Sequence, residues 1–221
     1  MEVERVDFNR SPSIGVFIFT TDEYTLVPPD TPGKLVNSIE RVLKTEVIKV
    51  TIGGSKLIGV LVCGNSNGLL VPYFTTAEEL EILRKHGINA RRLISRYTAL
   101  GNLILANDRG CLVTTKFSPL SLELKVIKEV LGVEVERVTL AGTTLVGSAG
   151  VATNRGCLLH PLATEDDLEK VKDVLNVKAD VGTVNMGNPY PSSGLVVNTR
   201  GALVGSETTG PELMKIEQVF G

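Results

Sequence analysis

Ala99-Leu100-Gly101-Asn102-Leu103-Ile104-Leu105-Ala106-Asn107-Asp108-Arg109-Gly110-Cys111-Leu112-Val113 reads as a glycine, an apolar run, a polar turn, a second glycine and another apolar run. That order predicts two short strands joined by a tight turn, because Asn, Asp and Gly tolerate the positive φ that a hairpin demands. The same order recurs. First glycines stand at Gly15, Gly59, Gly101 and Gly147, with Ser192 in the fifth copy, at spacings of 44, 42, 46 and 45 residues. Nine residues on, the turn position holds Tyr24, Gly68, Gly110, Gly156 and Gly201. Four of these follow Asn65-Ser66-Asn67, Asn107-Asp108-Arg109, Asn154-Arg155 and Asn198-Thr199-Arg200, while Tyr24 requires a different turn.

Each second strand leads into a helix start. Thr76-Ala77-Glu78-Glu79 and Thr209-Gly210-Pro211-Glu212 have the capping-box pattern, and Thr164 precedes the acidic Glu165-Asp166-Asp167, which suits the helix dipole. Thr31-Pro32 and Ser118-Pro119 place a hydroxyl before a proline at the expected first helical position. A third strand follows each helix, at Val47 to Ile52, Arg92 to Tyr97, Val133 to Leu140 and Val177 to Val184. A period near 44 residues also suits four-stranded propellers and helical solenoids, but three strands and one helix per unit fit neither. The fifth unit stops at Phe220-Gly221 without a third strand, whereas Met1-Glu2-Val3-Glu4-Arg5-Val6 matches Val133 to Val138 in five of six positions. The expectation is an α/β five-bladed propeller of strand-strand-helix-strand repeats with pseudo-fivefold symmetry, closed by the N-terminal strand. It forms one domain over 1–221, with repeats at about 14–57, 58–99, 100–145, 146–190 and 191–221, the last completed by 1–10.

Composition narrows the function. Hydrophobic residues at 43% and charged residues at 22% suit a globular chain with a real core. The acidic start and the short apolar run Ile14 to Phe19 predict neither a secretory signal nor a membrane span, so a cytoplasmic protein is expected. Cys63, Cys111 and Cys157 stand alone without histidines at ligand spacing, which predicts no disulfide framework, no metal and no cofactor. A net charge of −2 argues against general binding of DNA or RNA and leaves only a local RNA contact open.

Several ordered segments resemble the translation initiation factor 6 family of archaea and eukaryotes, which has the pentein fold. They are Gly64-Asn65-Ser66-Asn67-Gly68-Leu69-Leu70-Val71-Pro72, Ala99-Leu100-Gly101-Asn102, Leu145-Val146-Gly147-Ser148, Gly182-Thr183-Val184-Asn185 with Gly187, and Gly194 with Val196-Val197-Asn198. The resemblance implies a monomeric, non-enzymatic factor. Such a factor binds the intersubunit face of the large ribosomal subunit, beside the sarcin-ricin loop, through a ribosomal protein with a local rRNA contact. It thereby blocks joining of the small subunit, with a role in large-subunit maturation. The contact face it implies comprises Gly15, Val16, Gly59, Val60, Gly101, Asn102, Gly147, Ser148, Ala149, Ser192 and Ser193, with Val219 to Gly221 nearby. Eukaryotic members carry larger groups where this chain has Val60 and Ala149, and a polar C-terminal tail absent after Gly221, which points to an archaeal type.

Asn102 leads the contact residues, since the other copies follow the repeat position with Val16, Val60, Ser148 and Ser193. The alternative is an amide that caps a turn. Arg91, Arg92 and Arg96 are either a local RNA patch or the solvated face of a strand, and Glu165 to Asp167 either attract a basic partner or serve a helix start. Two other functions are compatible with this fold. Many penteins modify guanidino groups with a cysteine nucleophile and a histidine, which must lie within hydrogen-bond reach. Here no cysteine or histidine follows His160, and His86 sits at an expected helix end. A pentein binding module with a non-ribosomal partner is the other alternative.

Overall fold

The computed structural model describes residues 1–221, with the chain in five small sheets of three strands each. The strands are β1 (Glu2–Val6), β2 (Phe19–Thr20), β3 (Tyr24–Val27), β4 (Glu46–Lys49), β5 (Cys63–Gly64), β6 (Leu69–Pro72), β7 (Ala90–Leu93), β8 (Ile104–Ala106), β9 (Cys111–Thr114), β10 (Val135–Val138), β11 (Gly150–Ala152), β12 (Gly156–Leu159), β13 (Lys178–Val181), β14 (Leu195–Val197) and β15 (Gly201–Gly205). One long helix belongs to each unit: α1 (Gly33–Val42), α2 (Ala77–Lys85), α3 (Leu122–Leu131), α4 (Glu165–Leu175) and α5 (Gly210–Phe220). Within a unit the first two strands pair antiparallel, and the third returns parallel to the second through the helix. The middle strands β3, β6, β9, β12 and β15 are buried at every position, as strands covered on both faces must be.

The fifth sheet has the order β1-β15-β14, so the N-terminal strand supplies its third member. Val3 faces Ala202, the residue after Gly201, just as Val135 faces Cys111, the residue after Gly110. Phe8 is buried, whereas Val3 and Val6 are half-buried. The core divides into clusters that each mix two neighbouring units. Ile127, Val130 and Leu131 of α3 pack on Cys63, Leu70 and Leu93 of the unit before, and Leu35, Ile39 and Val42 of α1 pack on Val196 and Leu203 of the fifth unit.

Two rows of close approaches tie the units together. Gly59 lies against the Gly15 carbonyl, Gly101 against that of Gly59, Gly147 against that of Gly101, and Gly15 against that of Ser192. In each, a Cβ would fall inside 3.0 Å of the oxygen, closer than real Cβ atoms come. At the other end, Gly68, Gly110, Gly156 and Gly201 abut the carbonyls of Val130, Val174, Val219 and Val42, near the C-termini of the next units' helices. The first row of glycines marks the start end of each unit, and the second row marks the turn end.

Asparagines reinforce the turn end. The Asn107 amide donates to the carbonyls of Thr153 (3.1 Å) and Leu175 (2.9 Å), while its Oδ1 accepts from the Arg109 and Gly110 amides. Asn65 and Asn198 repeat this pattern, so one side chain satisfies both its own turn and the neighbour's helix end. In the fourth unit the equivalent residue, three before the turn glycine, is Thr153 and not the neighbouring Asn154: the Thr153 hydroxyl accepts from the Arg155 and Gly156 amides. The turn before Tyr24 is capped in the same way by Thr21.

Three local expectations are corrected. The repeat glycines do not open strands; they sit in single helical turns at Ile14–Val16, Ile58–Leu61 and Leu100–Leu103, in a turn at 146–148, and beside Ser192 in Pro191–Gly194. The helix after Ser118-Pro119 begins later, at Leu122 behind Ser121. The first helix is capped by Pro32 itself, because the Thr31 hydroxyl donates instead to the Pro28 carbonyl at 2.7 Å. The starts at Thr76, Thr164 and Thr209 form as expected.

Burial alone would raise the Glu212 carboxyl. Hydrogen bonds from the Thr209 and Gly187 amides and the Thr183 and Thr209 hydroxyls outweigh burial and hold it down at about 2. A carboxylate depressed in the folded state stabilises above its unfolded value, and this contribution is lost as pH falls from about 4.5 toward 2. The melting temperature should therefore drop across that window, and the Glu212→Gln variant should show a shallower drop in thermal scans.

Candidate docking surface

The start turns determine what the start end presents. Each is closed by backbone bonds such as Val60 N to Leu57 O (3.2 Å) and Asn102 N to Ala99 O (3.0 Å). The residue after the repeat position then points into a shared concavity of about 440 Å³, lined from all five units by Val16, Val60, Asn102, Ser148 and Ser193. Gly15, Gly59, Gly101 and Ser192 form its backbone floor, and Leu145, Asn188 and Tyr190 complete the wall. No lining residue carries a charge. Nine of the eleven residues expected on the contact face are thus brought together.

The other two are not. Gly147 is buried against the Gly101 carbonyl, and Ala149 is fully buried in the core beside Val146 and Leu159 as the chain turns into β11. Any contact through the Ala149 side chain is excluded. The C-terminal residues are also displaced from this face: α5 runs away from it, so that the Val219 carbonyl lies on Gly156 at the turn end.

Asn102 differs from the stitching asparagines. Its carbonyl accepts from Gly147 N (3.0 Å) and Ser148 N (3.3 Å), yet its half-buried side-chain amide has no hydrogen-bond partner within the chain. The turn-capping alternative therefore fails, and two donors and an acceptor are left toward the concavity. Tyr190 and Asn188 were missed in the sequence. Tyr190 packs edge-on to His160 at 5.0 Å, its amide donates to Asn188 Oδ1 at 3.0 Å, and the Ser193 hydroxyl donates to its carbonyl at 2.8 Å. The available signal was a polar-aromatic run, Asn188-Pro189-Tyr190, directly before a repeat start.

The rim is apolar. Leu57, Tyr73, Phe74, Ile94, Leu120, Leu162, Met186 and Tyr190 are large, exposed, and carried on the segments linking strands to helices or start turns at this end. Of the other exposed large apolar residues, Ile82 and Met214 lie farther along long helices, and Leu122 is the first residue of α3. Concentrated exposure of this kind marks an interaction surface more than scattered exposure does.

The other weighed residues have local roles. Arg91 pairs with Glu129 at 2.7 Å, Arg92 Nε donates to the Thr75 carbonyl, and the Arg96 guanidinium lies 4.7 Å over the Tyr97 ring, so the three arginines form no common patch. Asp167 closes the capping box with Thr164, which accounts for the acidic run as a helix start. All three cysteines are buried, and burial pushes the Cys63 thiol up to about 12 and those of Cys111 and Cys157 well up also. His86 Nδ1 lies 2.8 Å from Glu46, and His160 Nδ1 accepts from the Leu162 amide. No helix is long and apolar enough to cross a membrane.

Residues 3–219 match the model of the eIF-6 family. Translation initiation factor 6 of Pyrococcus horikoshii is 44% identical over 227 residues, covering 100% of this chain and 99% of that protein. The factor of the same name from Pyrobaculum aerophilum is 44% identical over 209 residues, covering 95% and 94%. Among solved structures, a dimethylarginine dimethylaminohydrolase variant in adduct with S-methyl-L-thiocitrulline aligns with a TM-score of 0.51 at 12% identity, over 76% of this chain and 68% of that one. That likeness shows the pentein fold and nothing of the chemistry.

Proposed function

The chain belongs to the eIF-6 family, and from that membership we propose that it is a non-enzymatic factor that binds the large ribosomal subunit and sterically prevents the small subunit from joining. The observation that carries the reading is the concavity at the start end, uncharged inside, with exposed apolar side chains among those of the surrounding links, and holding the unpartnered Asn102 amide. An uncharged, partly apolar surface suits a protein neighbour better than bare phosphates, which call for Lys and Arg. The main contact is therefore a ribosomal protein, with Val16, Val60, Asn102, Ser148 and Ser193 at its centre and any rRNA contact at the rim. One monomeric ring made of residues 1–221 presents these residues together. An interface of standard size, about 800 Å² per partner, occludes the opposing subunit without an energy source.

Purified protein should co-sediment with large subunits and not small ones, and should lower the yield of joined ribosomes. Equal binding to both subunits overturns the mechanism. Asn102→Asp introduces a charge into an uncharged concavity and should weaken large-subunit binding about fivefold or more, with the melting temperature unchanged. A parallel fall in both would make Asn102 structural.

A further inference from the structure

Four of the links that lead into a start turn are tight reversals whose successive residues take left-handed backbone: Asn9–Arg10, Gly53–Gly54, Ala141–Gly142 and Asn185–Gly187. A reversal of this kind turns adjacent backbone N–H groups toward one point and forms a small anion-binding nest. In three of them the chain supplies the anion, from the third residue of the next unit's helix. Glu79 accepts from the Gly53 (2.6 Å) and Gly54 (2.9 Å) amides, and Glu212 from those of Gly187 (2.9 Å) and Met186 (3.3 Å). Asp167 takes the Ala141 amide at 3.1 Å.

Helix capping alone does not require this. Each carboxylate also receives the amide of its own cap residue, at 2.8 Å from Thr76 and 2.6 Å from Thr209, and that bond would serve equally well with the side chain in solvent. Instead Glu79 and Glu212 are buried, at a desolvation cost, and each takes a further hydroxyl, from Thr51 (2.6 Å) and Thr183 (2.7 Å). What they gain is a fixed link. The Phe74 ring packs directly on Gly53, and the reversal held by Glu212 carries Met186, 73% exposed, and leads into Asn188 and Tyr190.

We propose that Glu79 and Glu212 are positioning residues of the docking rim, each gripping a reversal of the preceding unit so that its exposed side chains meet the partner in one conformation. The assignment rests on the docking reading above. Its test uses the full chain, with Glu212→Gln, Met186→Ala and the double variant. Gln keeps the capping-box acceptor but can no longer accept along both edges of the group. Hydrogen exchange at the Met186 and Gly187 amides should accelerate about 10- to 100-fold in Glu212→Gln, the size expected for lost bonds to a charged acceptor, while amides of β14 and β15 keep their protection. Each single variant should weaken co-sedimentation with large subunits about three- to tenfold, and the double variant no more than the stronger single one. Multiplicative losses, or singles that bind like wild type, overturn the positioning role. Unchanged exchange at residues 186 and 187 overturns the grip itself. Wild-type protein that fails to co-sediment overturns the docking reading and with it the role of the rim, and the exchange result then separates that failure from a failure of the grip.

Discussion

A chain lacking residues 1–8 should be recovered as aggregate or as a species without a cooperative thermal transition. The loss begins with β1, which pairs with β15 from Glu2 on Gly201 to Val6 on Gly205. It continues with Phe8, fully packed beside Ile14, Ile39 and Leu203 and worth roughly 1.5–3 kcal/mol. The half-buried Val3 and Val6 add less each. Arg41 and Ser38 on α1 lose their partners Glu2 and Glu4 as well, although the exposed ion pairs among them count for little. Against a total stability of about 5–15 kcal/mol these losses are a large share. They also uncover the wholly buried β15, Gly-Ala-Leu-Val-Gly, as an apolar edge ready to pair with another chain. Calorimetry and light scattering decide the matter. A truncated chain that melts like the full-length one, and stays monomeric, would show that the N-terminal strand is dispensable.

The second large effect concerns a single methyl group. Gly101→Ala should lower stability by about 3 kcal/mol, at the upper end of overpacking costs, and the melting temperature by roughly 6–12 °C. The new Cβ would fall on the Gly59 carbonyl, and the atoms in the way are backbone, with no flexible side chain to yield. Moving Gly59 is constrained in turn, because it lies on the Gly15 and Ile18 carbonyls. Gly33→Ala is the control: nothing lies within 4 Å of its Cβ, its φ is ordinary, and the exchange should be neutral or slightly stabilising. Equal melting temperatures for the two variants would refute the close-approach argument.

The five units were legible because their signals are local. Asn-x-x-Gly turns, caps such as Thr76 with Glu79, and apolar runs recur at fixed spacing and need no distant partner. The likeness of residues 1–6 to 133–138 gave the place of β1 for the same reason. The start turns were misread as strands because four residues such as Leu100–Leu103 are too few to show helical periodicity. Asn65, Asn107 and Asn198 read as turn residues only, since the carbonyls they join are supplied by the next unit. Ala149 entered the contact face through the family resemblance alone, whereas its burial among residues as far apart in the chain as Leu105 and Leu175 is visible only in the fold. Of the candidate site, the residues following the repeat positions were legible, whereas Tyr190, Asn188 and the apolar rim emerge only when the links between units are gathered at one end.

The pairing of β1 with β15 also sets an order of events during synthesis. β1 needs β15, made about 200 residues later, and at about 5–20 residues per second the interval between them is roughly 10–40 s. Units two to four can each pack on the unit before as they are made, whereas β1 and the face of α1 that covers Val196 and Leu203 must wait for the fifth unit. The composition of the N-terminal segment suits the wait: Glu2, Glu4, Arg5 and Asp7 interrupt Val3, Val6 and Phe8 and act as gatekeepers against premature pairing. A polypeptide stalled before Gly201 leaves β1 without its partner strand and α1 without Leu203.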